Sequence, residues 1–217
     1  MTETIRLASG AEARATNDAG AGAVVCLNGG QSAEATGTWS ATLEWLVRTL
    51  APLEQRLRFV EVRYRIKSWR RLDLCLEDAR AAIEAAGARR VLLLGFSMGG
   101  AVSVSAAGDE RVTAVLGLAP WLPDRLDVSP LRGKRLDVIH GSLDRGLPGI
   151  PGVSPALSRR GFDRARAAGA TGSYTLLRGG LHGVAVRRPG GHVVPLPRAR
   201  GWAGLVRAQL EAFAGSG

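Results

Sequence analysis

The segment Gly95-Phe96-Ser97-Met98-Gly99-Gly100 sets a serine two residues from a glycine on either side, after an apolar run and before a stretch of small residues. Glycine lets a chain turn sharply there without side-chain collision. Such a turn lifts the Ser97 hydroxyl to the C-terminal edge of a strand. It also aims the Met98 backbone N–H at a developing oxyanion, as acyl transfer through a serine requires. A serine hydroxyl alone is a poor nucleophile, so a base must accept its proton and an acid must orient that base. The chain has 3 histidines to supply the base. His140 ends the apolar run Val138-Ile139-His140, His182 lies in Gly179-Gly180-Leu181-His182-Gly183, and His192 follows Pro189-Gly190-Gly191. Asp144, in His140-Gly141-Ser142-Leu143-Asp144, and Asp124, in Pro120-Trp121-Leu122-Pro123-Asp124, each follow a strand-like run and compete for the acid.

Positioning these groups falls to alternating strands and helices. Ala23-Val24-Val25-Cys26-Leu27 is a continuous apolar run with the length and flanks of a strand buried on both faces. Trp39, Leu43, Leu46, Val47 and Leu50 then recur at helical spacing. Val60, Val62 and Tyr64 alternate with charged residues as a strand, and Leu72, Leu76, Ala79, Ile83 and Ala86 mark a second helix. Val91–Leu94 is the strand before the serine, and a small-residue helix near Ala101–Ala107 follows it. Further strands are expected at Thr113–Leu118, Leu136–Ile139 and Tyr174–Leu177, with helices near Ser158–Ala168 and from Trp202 to Phe213. The first twenty residues suggest a leading hairpin, and Leu147–Pro155 and Arg187–Pro197 read as loops. This alternation implies a mostly parallel sheet covered by helices on both faces. At 217 residues, one domain spanning 1–217 is expected.

Composition excludes several classes. Hydrophobic residues make up 46% and charged residues 22%, so there is ample core material and no signature of disorder. Gly, Pro or charge breaks every apolar run short of a membrane span. The start, Met1-Thr2-Glu3-Thr4, lacks a secretion signal, so a cytoplasmic protein is expected. The net charge of +10 comes almost wholly from arginine, Lys67 and Lys134 being the lysines among 29 basic residues. The arginines run from Arg6 to Arg207 without a block or interleaved aromatics, which argues against a nucleic-acid partner. Such a field still draws anionic molecules. Cys26 and Cys75 sit in apolar segments, as buried reduced thiols do, and no Cys/His spacing suits a metal.

From the Asn28-Gly29-Gly30 loop to the final helix, the chain resembles the α/β-hydrolase fold superfamily, in particular its small esterase and dienelactone-hydrolase-like members. The family's order of nucleophile, acid and histidine is matched by Ser97, Asp144 and His182. His140-Gly141-x-x-Asp144 resembles its acid loop, and Gly179-x-x-His182-Gly183 its histidine loop. The resemblance implies a serine carboxylic-ester hydrolase that needs no cofactor. In it Ser97 attacks, His182 is general base and then acid, and Asp144 fixes the histidine's tautomer. Asp124 and His192 are the substitutes, and His140 is expected to brace its loop.

By the same resemblance the oxyanion donors are the N–H groups of Met98 and Gly30, with Gln31 competing for the second. The family's usual His-Gly is Asn28-Gly29 here. Only about 17 residues separate Ala119 from Leu136, too few for a helical cap, so an open cleft is expected. Gln31, Trp39, Trp121, Leu147, Leu181 and Val184 flank the loops and are candidates to line it, and the basic Arg187–Arg200 stretch to overhang it. The expected partner is a small-molecule ester or thioester. A lactone is an alternative, because the machinery recognises a carbonyl. Serine in place of cysteine departs from the dienelactone hydrolases. A non-catalytic binding protein built on the same cleft is the alternative from another class.

Overall fold

Ala23 to Leu27 are buried without exception because their strand lies between two parallel neighbours with helices above and below. The computed structural model describes residues 2–18, 20–145 and 152–215. In chain order the strands are β1 (Thr2–Arg6), β2 (Glu12–Thr16), β3 (Gly22–Leu27), β4 (Leu57–Arg63), β5 (Val91–Phe96), β6 (Val112–Leu118), β7 (Arg135–Gly141) and β8 (Tyr174–Leu177), followed by β9 (Ala185–Arg187) and β10 (Val193–Pro195). The helices are α1 (Ala41–Leu50), α2 (Leu72–Ala85), α3 (Met98–Ala106), α4 (Pro155–Ala167) and α5 (Ala199–Gly215). The first eight strands form one sheet in the order β1-β2-β4-β3-β5-β6-β7-β8. The pairs β1–β2 and β2–β4 are antiparallel and the rest are parallel.

The pleat sorts each central strand between two cores. Ala23, Val25 and Leu27 pack with Ala79 and Ile83 of α2, Val102 of α3 and Phe162 of α4. Val24 and Cys26 pack on the other face with Leu43 and Leu46 of α1 and Trp202 and Val206 of α5. Both faces are thus covered, as the alternation of elements predicts. Residues 119–134, between β6 and β7, hold one short 3₁₀ turn, Ser129–Leu131, and no cap. The leading hairpin is present as β1–β2. Part of the Arg187–Pro197 stretch is not loop but the antiparallel hairpin β9–β10, which turns through Gly190 and Gly191 at positive φ. Three-residue strands are too short to show an alternation in sequence. No helix among the described residues is long and apolar enough to cross a membrane.

One buried carboxyl has a consequence for stability. Glu61 of β4 lies opposite Arg14 of β2 and Cys26 of β3, and is 6% exposed. Burial pushes its pKa from 4.5 up to about 7, against the pull of the Arg14 cation. Between those values the unfolded chain releases this proton while the folded chain keeps it, so folding stability falls as pH rises through that window. Relative to Glu61→Gln, the wild type should lose roughly 2 to 4 kcal/mol between pH 4.5 and pH 8 in urea titrations. Parallel stability curves for the two proteins would contradict this.

Candidate active site

The strand order reverses at β3, since its chain successor β4 lies on one side and β5 on the other. In open parallel sheets that point leaves a crevice beyond the carboxyl ends of the two strands. Here β3 runs out into Asn28-Gly29-Gly30, and β5 into Ser97. Ser97 has φ 54° and ψ −118°, a conformation side chains rarely adopt, and it stores about 1–3 kcal/mol of strain. The flanking glycines avoid side-chain collision, as the sequence leads one to expect, while the positive φ falls on the serine itself. A Cβ on Gly99 would lie 2.0 Å from the Leu27 carbonyl oxygen, and one on Gly95 2.4 Å from the Gly99 carbonyl oxygen. They let α3 start against the ends of β3 and β5. Gly99→Ala should therefore cost more than about 3 kcal/mol, measured by chemical denaturation, because the clash is with backbone. A loss below 1 kcal/mol would show that the elbow tolerates a side chain, contrary to this geometry.

The Ser97 hydroxyl lies 3.1 Å from His182 Nε2, and His182 Nδ1 lies 2.7 Å from Asp144 Oδ2. The serine thus donates to Nε2 while the Nδ1–H donates to the carboxylate. The Phe96 ring stands 5.1 Å from the imidazole, tilted by 43°. Asp144 is buried and shares the same oxygen with a second histidine, His140, whose Nε2 is 2.9 Å away. That Nε2 is also 2.9 Å from the Val153 carbonyl oxygen. Both neighbours are acceptors, so Nε2 carries the proton. His140 Nδ1 meets the Ser158 hydroxyl at 2.7 Å, and Ser158 Oγ lies 2.9 Å from the Tyr174 hydroxyl. Burial alone would raise the Asp144 pKa, but the hydrogen bonds and positive potential of His140 and His182 outweigh it and hold the carboxyl below its ordinary value. An ionised aspartate at this depth is therefore sustained by two imidazoles.

Across from these groups the Asn28 amide nitrogen donates to the Thr38 carbonyl at 2.9 Å, and its amide oxygen accepts the Gly29 N–H at 2.7 Å. Asn28 braces the loop that carries Gly30 beside the serine. Gly30 packs on the Met98 side chain, close enough that a Cβ there would lie 2.2 Å from its sulfur. The loop, Ser97 and His182 enclose a cleft of about 440 Å³ with Trp39, Phe96, Leu181 and Leu196 in its walls. That volume suits a small molecule.

Trp39, Leu181 and Gly30 thus line the cleft with Ser97 and His182. Trp121, expected there, instead faces Trp69 at 6.4 Å between ring centres, and its backbone N–H donates to the Ser97 carbonyl at 2.8 Å. Gln31 is drawn away by a bridge to Ser68 and is not part of the wall. Val184 is buried in the core behind it. Leu147 lies outside the described residues. Asp124 is exposed beside Arg160, and His192 is exposed in the β9–β10 turn, so neither substitute reaches the serine. Thr38, Thr42, Lys67, Ala185 and Val186 are wall residues that the sequence reading missed, while Leu196 comes from the Arg187–Arg200 stretch expected to overhang the cleft. Ala185 and Val186 belong to the unforeseen β9–β10 hairpin, which is tied to α1 by the Thr42 hydroxyl: it donates to the Ala185 carbonyl at 3.4 Å and accepts from the Val184 N–H at 3.1 Å. Lys67 carried one signal, being one of two lysines in a chain that otherwise uses arginine.

No protein-family model matches the sequence, and no curated protein matches it. Solved structures do match. A sugar hydrolase from Lactococcus lactis aligns at TM-score 0.70 and 17% identity, covering 98% of this chain and 98% of that one. A dienelactone hydrolase from Anabaena variabilis aligns at 0.67 and 16%, covering 98% and 97%. An esterase from Exiguobacterium antarcticum aligns at 0.67 and 12%, covering 97% and 100%. At such identities the likeness is one of fold.

Proposed function

We propose that this chain, which has the α/β-hydrolase fold, is a serine hydrolase of carboxylic esters that works through an acyl-enzyme on Ser97. The observation that carries the reading is the hydrogen-bonded series from Ser97 through His182 to buried Asp144. As Ser97 Oγ attacks the ester carbonyl carbon, its proton passes to His182 Nε2. The resulting imidazolium keeps its Nδ1–H on Asp144, whose charge stabilises it. The oxyanion of the tetrahedral intermediate accepts from the N–H groups of Met98 and Gly30, each worth about 3 kcal/mol in comparable hydrolases. Collapse expels the alcohol, which takes the proton from Nε2. Water then enters, gives its proton to Nε2, and releases the acid and Ser97 by the same steps. These steps require no cofactor. Thioesters and lactones present the same carbonyl, and the likeness in fold to a dienelactone hydrolase keeps lactones within the class.

The test is a panel of 4-nitrophenyl esters, acyl thioesters and lactones, followed through the first turnover. The expected result is ester hydrolysis with a burst of about one equivalent per chain wherever deacylation is the slower step. Ester hydrolysis no faster than that of the His182→Ala protein would overturn the reading.

A further inference from the structure

Among the described residues lining the cleft there is no carboxylate, and the ionisable side chains are His182 and Lys67. Lys67 is held in place from both directions. Its own N–H donates to the Ala35 carbonyl at 2.9 Å. On either side, Gly37 N–H donates to the Arg65 carbonyl at 3.2 Å and Trp69 N–H to the Gln31 carbonyl at 3.1 Å. Residues 65–69 are thereby stitched to the strip 31–37 that leads out of the Gly30 loop. The lysine ammonium donates to Thr38 Oγ1 at 2.9 Å, and Thr38 is itself a wall residue.

Among the described residues most neighbouring cations are matched by acids, exposed Arg70 excepted. Arg65 pairs with Asp78 and Glu77, Arg71 with Asp73 and Glu34, and Arg63 with Glu12. Lys67, between them in sequence, has no carboxylate partner among the described residues. The residue is half-buried, its ammonium spends one of three N–H donors on a neutral hydroxyl in a solvent-exposed bond, and partial desolvation lowers its pKa from the usual lysine value. An ammonium with two donors to spare beside an apolar wall is placed to meet an anion. The rest of the wall is largely apolar, which suits a hydrocarbon spacer.

We propose that Lys67 receives a carboxylate on the substrate, so that the preferred substrates are half-esters with a free acid group a short chain away from the scissile carbonyl. A single ammonium matches a single carboxylate. The inference rests on the serine-hydrolase reading for its reaction, but not for its binding.

The experiment compares the monomethyl esters of succinic, glutaric and adipic acids with the matching dimethyl esters. Hydrolysis is followed on the wild type, Lys67→Met and Lys67→Arg, and calorimetric binding on the same three in a Ser97→Ala background. At the best chain length, the wild type should favour the charged member in kcat/KM. Lys67→Met should reduce the monomethyl-to-dimethyl ratio by about tenfold, Lys67→Arg should keep most of it, and added salt should shrink it. Binding should follow the same pattern. If Lys67 only braces its loop through Thr38, Lys67→Met will depress both esters alike, and that result overturns the proposal. So does a wild type without preference for the charged member. Lys67-dependent binding of the half-ester without hydrolysis would support this inference while removing the hydrolase reading. Hydrolysis indifferent to charge would do the reverse.

Discussion

Ser97→Ala should lower kcat for ester hydrolysis by about 10^4- to 10^6-fold and leave KM within a fewfold, because the hydroxyl is the attacking atom and not a binding group. His182→Ala should fall in the same range, and the double variant should be hardly worse than either, since nucleophile and base act as one unit. The backbone supplies a second, independent readout. Ser97 sits at φ 54° and ψ −118°, which glycine adopts without the penalty a side chain incurs. Ser97→Gly should be as inactive as Ser97→Ala yet more stable than it, by about 1 kcal/mol after the entropy glycine adds to the unfolded chain. A Ser97→Ala protein retaining a tenth of wild-type kcat would remove the serine from the mechanism. A Ser97→Gly protein less stable than Ser97→Ala would remove the strain from the account.

Asp144→Asn should lower kcat by about 10^4-fold and should also destabilise the fold. Asp144 Oδ2 accepts from two imidazoles, at 2.7 Å from His182 and 2.9 Å from His140. If the amide nitrogen takes that position, it faces two N–H donors. The Val153 carbonyl holds the proton on His140 Nε2, so His140 cannot turn acceptor without losing that bond. If the amide oxygen takes it, the negative charge that stabilises the His182 imidazolium is gone. The variant should therefore lose stability as well, on the order of 2 kcal/mol for a buried network broken at its centre. Stability has a pH signature too. Folding holds the Asp144 carboxyl below its ordinary value of 3.8, so its contribution is present above that pH and is lost as pH falls through the folded value. Asp144→Asn should lack that acid-limb loss. A variant with kcat within tenfold of wild type would show that Asp144 does not orient the base.

Much of this arrangement was legible in local sequence. The elbow around Ser97 is a contiguous pattern, and β3, β5 and the helices between them carry periodicities long enough to read. His182 and Asp144 stand 38 residues apart in sequence and 2.7 Å apart in space, so their meeting could be expected only through the family resemblance, in its chain order and in its acid and histidine loops. What stayed hidden depended on the direction of single side chains or on short elements. Trp121 follows β6 and its backbone meets the elbow, but which way its ring points depends on packing against Trp69. The β9–β10 hairpin offers three residues per strand, below the length at which alternation has meaning. His140 was read as a brace for its loop. Its bond to Asp144 Oδ2 could not be inferred, because the i and i+4 positions that join them lie on a turn with no fixed geometry in sequence. Lys67 lies far from every motif and reaches the cleft only because residues 65–69 and 31–37 pair.

The most direct test of the central claim is reaction with a fluorophosphonate followed by intact mass and peptide mapping. Only a serine whose proton is taken by a neighbouring base reacts readily with such a reagent. The account predicts one adduct per chain, on Ser97, lost in Ser97→Ala and formed far more slowly in His182→Ala. A folded wild-type protein that stays unlabelled, or an adduct on another residue, would contradict it.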